Sequence, residues 1–384
     1  MLSLSEIQDA AIARTGLRDF GDESYEEGLS ILLAALRDEA RLNSRGEAFI
    51  TQRIVGYLGQ RLQVEDWYRR HPEIDEVPCQ APLIGLGLPR TGSTALSMLL
   101  AQDPAVRYLR RWESAQPCPP PSTVQGADPR VPKDKGEMIG TRYHVPGDTH
   151  GPMECHELMA LSFASHIFQS FAQVPSYSRW LVEDADLTST LQYQRRVLKL
   201  LQWGEPARPW RLKCPSHVLW LEALDSVFPD ARYVMTHRDP TDVILSVAEL
   251  YADIVGSFTD DIDRPYIGRL NVEHWSLGMQ RTLQFRRAGA DKRCYDIDFR
   301  AMQADPVGEV GRLYHWLGEP VNEEFTARMH SWWTHAAAER EPSHRADPTE
   351  FGIDLDTVRP LFAAYVDAAA RWTNHDTTER QANE

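Results

Sequence analysis

The chain has 384 residues, 42% hydrophobic and 25% charged, with 41 Lys+Arg against 56 Asp+Glu for a formal net charge of −15. That balance excludes a general nucleic-acid-binding surface, which needs a basic stripe to displace counterions from phosphates; an anionic ligand must be met by locally gathered cations. Five cysteines (Cys79, Cys118, Cys155, Cys214, Cys294) form no C-x-x-C pair, no apolar run reaches membrane length, and the first residues lack a signal-peptide pattern. The expectation is a soluble, cytoplasmic protein with neither a disulfide framework nor a zinc site.

Residues 1–74 carry helical spacing, with Leu29, Leu32, Leu33 and Leu36 on one face, and read as a helical N-terminal extension packed on the core. A buried strand over Leu83 to Leu88 then breaks into a glycine-rich loop and a helix over 94–102. Gln116 to Pro132 is proline-rich and reads as an active-site loop. An apolar helix is expected over Met153 to Phe171 and an amphipathic one over Leu187 to Trp203.

Trp210 to Lys213 is a short strand ended by Cys214-Pro215, followed by a helix over Ser216 to Val227 and a strand over Ala231 to Thr236. A helix from Pro240 to Leu250 has Asp239 as its cap and proline in its first position. Val272 to Arg287 is helical, Arg293 to Ile297 is a further strand, helices follow from Pro306, and 373–384 is expected to fray. Strands separated by helices, without hairpins, predict one three-layer α/β/α domain over 75–372 with a central parallel sheet. Ligands in such folds sit at the carboxyl ends of the strands.

The loop reads G-L-P-R-T-G-S-T from Gly87, a cup of backbone N–H groups suited to phosphate or sulfate. Ser93 stands where a nucleoside-triphosphatase loop places its lysine, so a nucleotide is handled in some way other than hydrolysis. Arg90, Lys213 and Arg238 follow or end three successive strands, and their convergence in an acidic chain argues for an anion site. Arg238 belongs to His237-Arg-Asp-Pro-Thr-Asp-Val-Ile-Leu-Ser246, where guanidinium and hydroxyl suit a shared phosphate. The same His-Arg-Asp string occurs in protein kinases, but Pro240 follows it and no Asp-Phe-Gly lies downstream.

These motifs in this order resemble the sulfotransferases that use 3′-phosphoadenosine 5′-phosphosulfate (PAPS), and most of all a bacterial branch with a P-R-T-G-[ST]-T loop. The matching segments are Pro89 to Thr94, Trp112-Glu113 leading to Pro119-Pro120-Pro121, Leu212 to His217, and His237 to Ser246. The resemblance implies a P-loop-type fold and transfer of a sulfuryl group to an acceptor hydroxyl on a small molecule, lipid or carbohydrate, with no metal required. It implies that Pro89, Arg90, Thr91, Gly92, Ser93 and Thr94 hold the 5′-phosphosulfate, and that Arg238 and Ser246 hold the 3′-phosphate. Arg345, in a segment from His344 to Gly352 similar to the family's cofactor-closing loop, is a further contact. Ala95 departs from the branch, which stacks a tryptophan on the adenine there.

The transfer needs cations at the breaking bond, for which Arg90 and Lys213 are the candidates, and a base for the acceptor proton. Glu113, just before the proline run, and His217, four residues after Lys213, are alternative bases; the first has an ion pair with Arg110 or Arg111 as its competing reading. His144, His150, Glu154, His156 and Glu157 cluster in the sequence, where acceptor binding or helix capping fits better than metal. Phe163, Phe168, Phe171, Tyr177, Trp180, Trp203, Trp332 and Trp333 line an acceptor pocket or, more in keeping with their spacing, fill the core. A small-molecule kinase of the same fold and a non-catalytic nucleotide-binding protein are the rival functions.

Overall fold

A computed structural model describes residues 3–80, 82–131, 150–338 and 346–382, with side chains as far as Asn374. Three helices open the chain: α1 (Leu4–Thr15), α2 (Glu26–Asp38) and α3 (Ser44–Arg70). Their starts are set by capping chemistry, a Ser3–Glu6 capping box on α1 and an Asn43 side chain accepting the Gly46 N–H on α3. Leu29 and Leu32 of α2 and Ile54, Leu58 and Leu62 of α3 belong to the same apolar cluster as the sheet residues Ile84, Leu86, Leu212 and Met235.

The sheet has five parallel strands, β1 (Leu83–Leu86), β2 (Arg107–Tyr108), β3 (Trp210–Lys213), β4 (Arg232–His237) and β5 (Cys294–Asp298), in the order β2-β3-β1-β4-β5. Helices α4 (Ser93–Leu100), α5 (Arg111–Ala115), α6 (His156–Met159), α7 (Phe168–Phe171), α8 (Pro175–Glu183), α9 (Thr188–Gln202) and α10 (Leu221–Val227) follow in the first half. The rest are α11 (Pro240–Val255), α12 (Arg264–Arg287), α13 (Phe299–Ala304), α14 (Pro306–Leu317), α15 (Glu323–Ala338) and α16 (Leu355–Ala382).

Alternation along the strands divides the core between the two faces. Leu83, Val234, Tyr295 and Ile297 pack with Leu96 and Leu99 of α4, Leu313 of α14 and Phe325 of α15. Ile84, Tyr233 and Met235 face the larger cluster, which takes in Val243 and Ile244 of α11, Trp275 of α12 and Phe362 of α16. The three-layer architecture is as the strand–helix alternation predicts, and the middle strand β1 puts its loop at the centre of the carboxyl rim.

Two local expectations fail for tertiary reasons. Met153 to Phe171 is not one helix: α6 gives way to a 3-10 turn at Ala160–Ser162, and Phe163 then adopts φ 52° before α7. The break is held by the Tyr177 hydroxyl, which donates to the Phe163 carbonyl at 2.8 Å and accepts the Ser165 N–H at 3.0 Å. Gly28 faces that carbonyl, and a Cβ there would lie 2.6 Å from it. Ser216 to Val227 likewise splits into a 3-10 turn, Pro215–Leu219, and α10, with Trp220 non-helical between them at φ −140° and ψ 41°. The edge strand β2 has two residues, too few to leave a period in sequence. Helix α16 runs to Ala382. Among the described residues, no helix is long and apolar enough to cross a membrane.

Candidate active site

Strand β1 ends at Leu86, and the turn that follows uses three left-handed residues: Gly87 at φ 121°, Arg90 at φ 61° and Gly92 at φ 90°. Gly92 caps α4 without any side-chain hydrogen bond, so the first N–H groups of that helix point out of the turn without an intrahelical partner. A Cβ on Gly92 would lie 3.2 Å from the Phe299 ring, so the left-handed φ and the close approach both favour glycine. The loop is pinned from below by the buried Thr91 hydroxyl, 2.8 Å from the Leu88 carbonyl and 2.6 Å from Thr236 Oγ1 at the end of β4.

Arg90 and Arg238 meet on this rim. Arg90 Nε donates to Ser246 Oγ at 3.2 Å, and Arg238 Nη1 donates to the Arg90 carbonyl at 3.2 Å. The Arg238 guanidinium lies 4.9 Å from the centre of the Phe299 ring. Its neighbour His237 is fixed beneath it, Nε2 at 2.7 Å from Asp296 and Nδ1 at 2.9 Å from the Tyr365 hydroxyl. Arg286 grips the same Asp296 through two bonds of 2.7 and 2.8 Å, and burial notwithstanding, His237 and Arg286 hold that carboxyl below its usual range. The histidine of the H-R-D-P motif thus anchors the strand end that presents Arg238. A cavity of about 360 Å³ opens beside it, lined by Arg238, Pro240, Phe299, Arg300 and Tyr365 among others.

Lys213 is buried at the end of β3, with Nζ donating to Thr94 Oγ1 at 3.2 Å and to Glu154 Oε1. Two backbone bonds place Glu154 there: Met153 N–H to the Leu109 carbonyl at 2.7 Å, and Cys155 N–H to the Lys213 carbonyl at 3.1 Å. The other carboxylate oxygen is 3.2 Å from His156 Nδ1, and His156 Nε2 is 2.8 Å from Ser216 Oγ. Burial opposes the charge on Glu154, but Lys213 and His156 outweigh it and hold the carboxyl well below the usual carboxylate range. Burial also opposes a charge on His156, yet Cys214 and Glu154 raise the imidazole to about 10.

Neither base suggested by sequence occupies such a position. Glu113 is fully buried, with Oε1 2.7 Å from Arg107 and Oε2 accepting the Arg110 N–H at 3.1 Å. Both oxygens are committed to joining α5 to the edge strand, which is the ion-pair reading with Arg107 as the main partner. His217 is 1% exposed, neither ring nitrogen has a partner, and burial pushes it down to about 3. Among the described residues, the imidazole is buried away from solvent.

The remaining cluster residues disperse. Glu157 pairs with Arg53 at 2.8 Å and Tyr57 at 2.7 Å, facing α3 rather than Lys213. His144, His344 and Arg345 lie outside the described residues. No group of metal-ligating side chains forms among the described residues. Phe163, Phe168, Phe171 and Tyr177 are core residues, and Trp203 packs beside Trp67 and His71. Phe299 is a rim residue that motif reading did not single out, since it follows a strand with no glycine or charge signature; Glu154 entered only with the cluster read as acceptor binding or capping, its pairing with the distant Lys213 leaving no mark in sequence.

A glycine turn flanked by Arg90, Arg238 and Lys213, at the carboxyl edge of a parallel sheet, makes this an α/β protein whose rim suits an anion. The chain belongs to the sulfotransferase family, whose profile matches residues 82–323. Its structure is similar to that of sulfotransferase STF9 from Mycobacterium avium, with 32% identity, a TM-score of 0.86, and 96% of this chain and 97% of that one covered. It is also similar to sulfotransferase STF1 from Mycobacterium tuberculosis H37Rv, with 28% identity, a TM-score of 0.82, and 94% and 99% covered. Comparison with curated protein sequences gives no match.

Proposed function

We propose that this sulfotransferase takes its sulfuryl group from PAPS and passes it to an acceptor hydroxyl on a small molecule, lipid or carbohydrate. The observation that carries the reading is the clustering of Arg90, Ser246 and Arg238 around one strained turn. A doubly ended adenylate needs two anion subsites; the turn from Pro89 through Thr91, Gly92, Ser93 and Thr94 suits the 5′ end, and Arg238 with Ser246 suits the 3′-phosphate. Phe299 sits beside both, and we assign it the packing of adenine that Ala95 cannot supply.

In this reading the acceptor oxygen attacks sulfur, the bond from sulfur to the 5′-phosphate oxygen breaks, and adenosine 3′,5′-bisphosphate leaves. Arg90 and Lys213 stabilise charge developing on the departing oxygen. Glu154 takes the acceptor proton, because its carboxylate touches Lys213 and remains partly exposed, whereas Glu113 and His217 are sealed in. Its low proton affinity comes from Lys213 and His156 together; a donor that draws Lys213 toward the leaving oxygen raises that affinity.

Thermal stabilisation by adenosine 3′,5′-bisphosphate, ADP and ATP tests the donor. The bisphosphate should stabilise most, and ATP-dependent phosphorylation of an acceptor would favour a kinase instead.

A further inference from the structure

Glu154 is held from two sides by two different cations, and only one of them lies within reach of the loop. Lys213 bonds Oε1 and also touches Thr94 in the first turn of α4. His156 takes Oε2 and faces away from the turn, its far nitrogen fixed by Ser216, a fully buried residue whose Oγ is also 3.3 Å from Cys214 Sγ. The imidazole is backed by the His166 ring, with centroids 6.3 Å apart and planes 24° from parallel. His166 is itself locked at 3.1 Å to His274 and 3.0 Å to the Tyr251 hydroxyl. His156 is therefore mounted on a rigid polar wall, whereas the Lys213 amine sits between a carboxylate and the proposed donor.

We infer that His156 is the positioning residue of the transfer: it holds Glu154 toward the acceptor after the donor has drawn Lys213 away. This rests on the donor reading above. Without His156 the carboxylate would have no fixed orientation during the step in which it takes the proton, since its other anchor is then engaged with the leaving oxygen. The charged and titratable groups facing His156 are Glu154, Cys214, His166 and His217, with Lys213 on the far oxygen of Glu154 and Cys155 beside it in sequence. Only Glu154 and Lys213 among them change partners in the proposed step, so the pH dependence of turnover reports their arrangement.

The test compares wild type with His156→Ala, His156→Asn and His156→Gln, using hydrolysis of PAPS by water as the turnover assay and adenosine 3′,5′-bisphosphate as the binding probe. An asparagine amide reaches the Nδ1 position and a glutamine amide does not. Bisphosphate affinity should stay within roughly threefold of wild type in all three variants, while turnover falls roughly 10- to 100-fold in the alanine and glutamine variants and recovers in asparagine. The acid limb of the pH–rate profile should move to higher pH in the alanine variant, because a cation next to the base is gone. A crystal structure with the bisphosphate should show Lys213 off Glu154 and His156 still on it. Unchanged turnover and pH limb in His156→Ala, equal losses in the asparagine and glutamine variants, or Lys213 still on Glu154 in the complex would overturn the assignment of His156. Failure of wild type to bind the bisphosphate would instead overturn the donor reading beneath it.

Discussion

Arg90 Nε lies 3.2 Å from Ser246 Oγ, joining the centre of the glycine turn to the second turn of α11. By resemblance, these two residues serve opposite ends of the donor, yet here they satisfy each other. Donor binding must replace that bond with two stronger ones to phosphate or sulfate oxygens. Ser246→Ala should therefore weaken adenosine 3′,5′-bisphosphate by about tenfold and leave AMP binding nearly unchanged, as measured by calorimetry. Equal losses for both ligands would remove Ser246 from the 3′ subsite.

Gly92→Ala should damage the donor site without unfolding the protein. The left-handed φ of 90° and the 3.2 Å approach to Phe299 both oppose a side chain, at a cost on the order of 1–3 kcal/mol. Because the turn lies on the rim, the expected result is a large loss of bisphosphate affinity with a small change in melting temperature. Full affinity would mean the turn does not contact the donor.

Glu113→Ala should reduce stability more than chemistry. Removal of the carboxylate leaves Arg107 buried at 7% exposure without its partner, which typically costs about 3–5 kcal/mol. A lower urea midpoint is expected, with turnover per folded molecule retained. Glu154→Gln should do the reverse, abolishing turnover while the bisphosphate still binds. Loss of turnover in a fully stable Glu113→Ala protein would return the base to Glu113.

Stability should fall as the medium is acidified below about pH 6.5. Burial pushes His217 down to about 3 and, with Arg281 adding to it, His274 down to about 4. The unfolded chain takes up these protons at about pH 6.5 and the native state only near pH 3–4. Their stabilisation is thus full above about 6.5 and is lost toward pH 3–4, by at most about 1.4 kcal/mol per pH unit for each histidine. His156, raised to about 10, has the opposite sign: its contribution is full below about pH 6.5 and is lost progressively as pH rises toward 10. Urea midpoints between pH 7 and pH 4 should show this slope and flatten in His217→Asn; a flat wild-type profile would contradict it.

The sheet and the glycine turn at its carboxyl rim are legible because their signals are local. Gly87, Gly92, Arg90 and the H-R-D-P string each occupy a strand end that hydrophobic runs announce, and the parallel order follows from the helices between them. The Met153 to Phe171 segment was misread because its apolar residues carry no mark of the Tyr177 hydroxyl that breaks it. The base proposed here leaves no local signal for the same kind of reason. Glu113 has the right motif but is turned into an ion pair by Arg107, and Glu154 meets Lys213 across 58 intervening residues through two backbone bonds that leave no pattern in sequence.

Binding of the 3′-phosphate by Arg238 is tested most directly by the affinity of wild type and Arg238→Ala for adenosine 3′,5′-bisphosphate relative to AMP, measured at one ionic strength. Wild type should prefer the bisphosphate by roughly 10- to 100-fold, as expected for hydrogen bonds to a charged group, and Arg238→Ala should bind the two alike. Equal affinities in wild type, or a preference that survives the loss of Arg238, would contradict it.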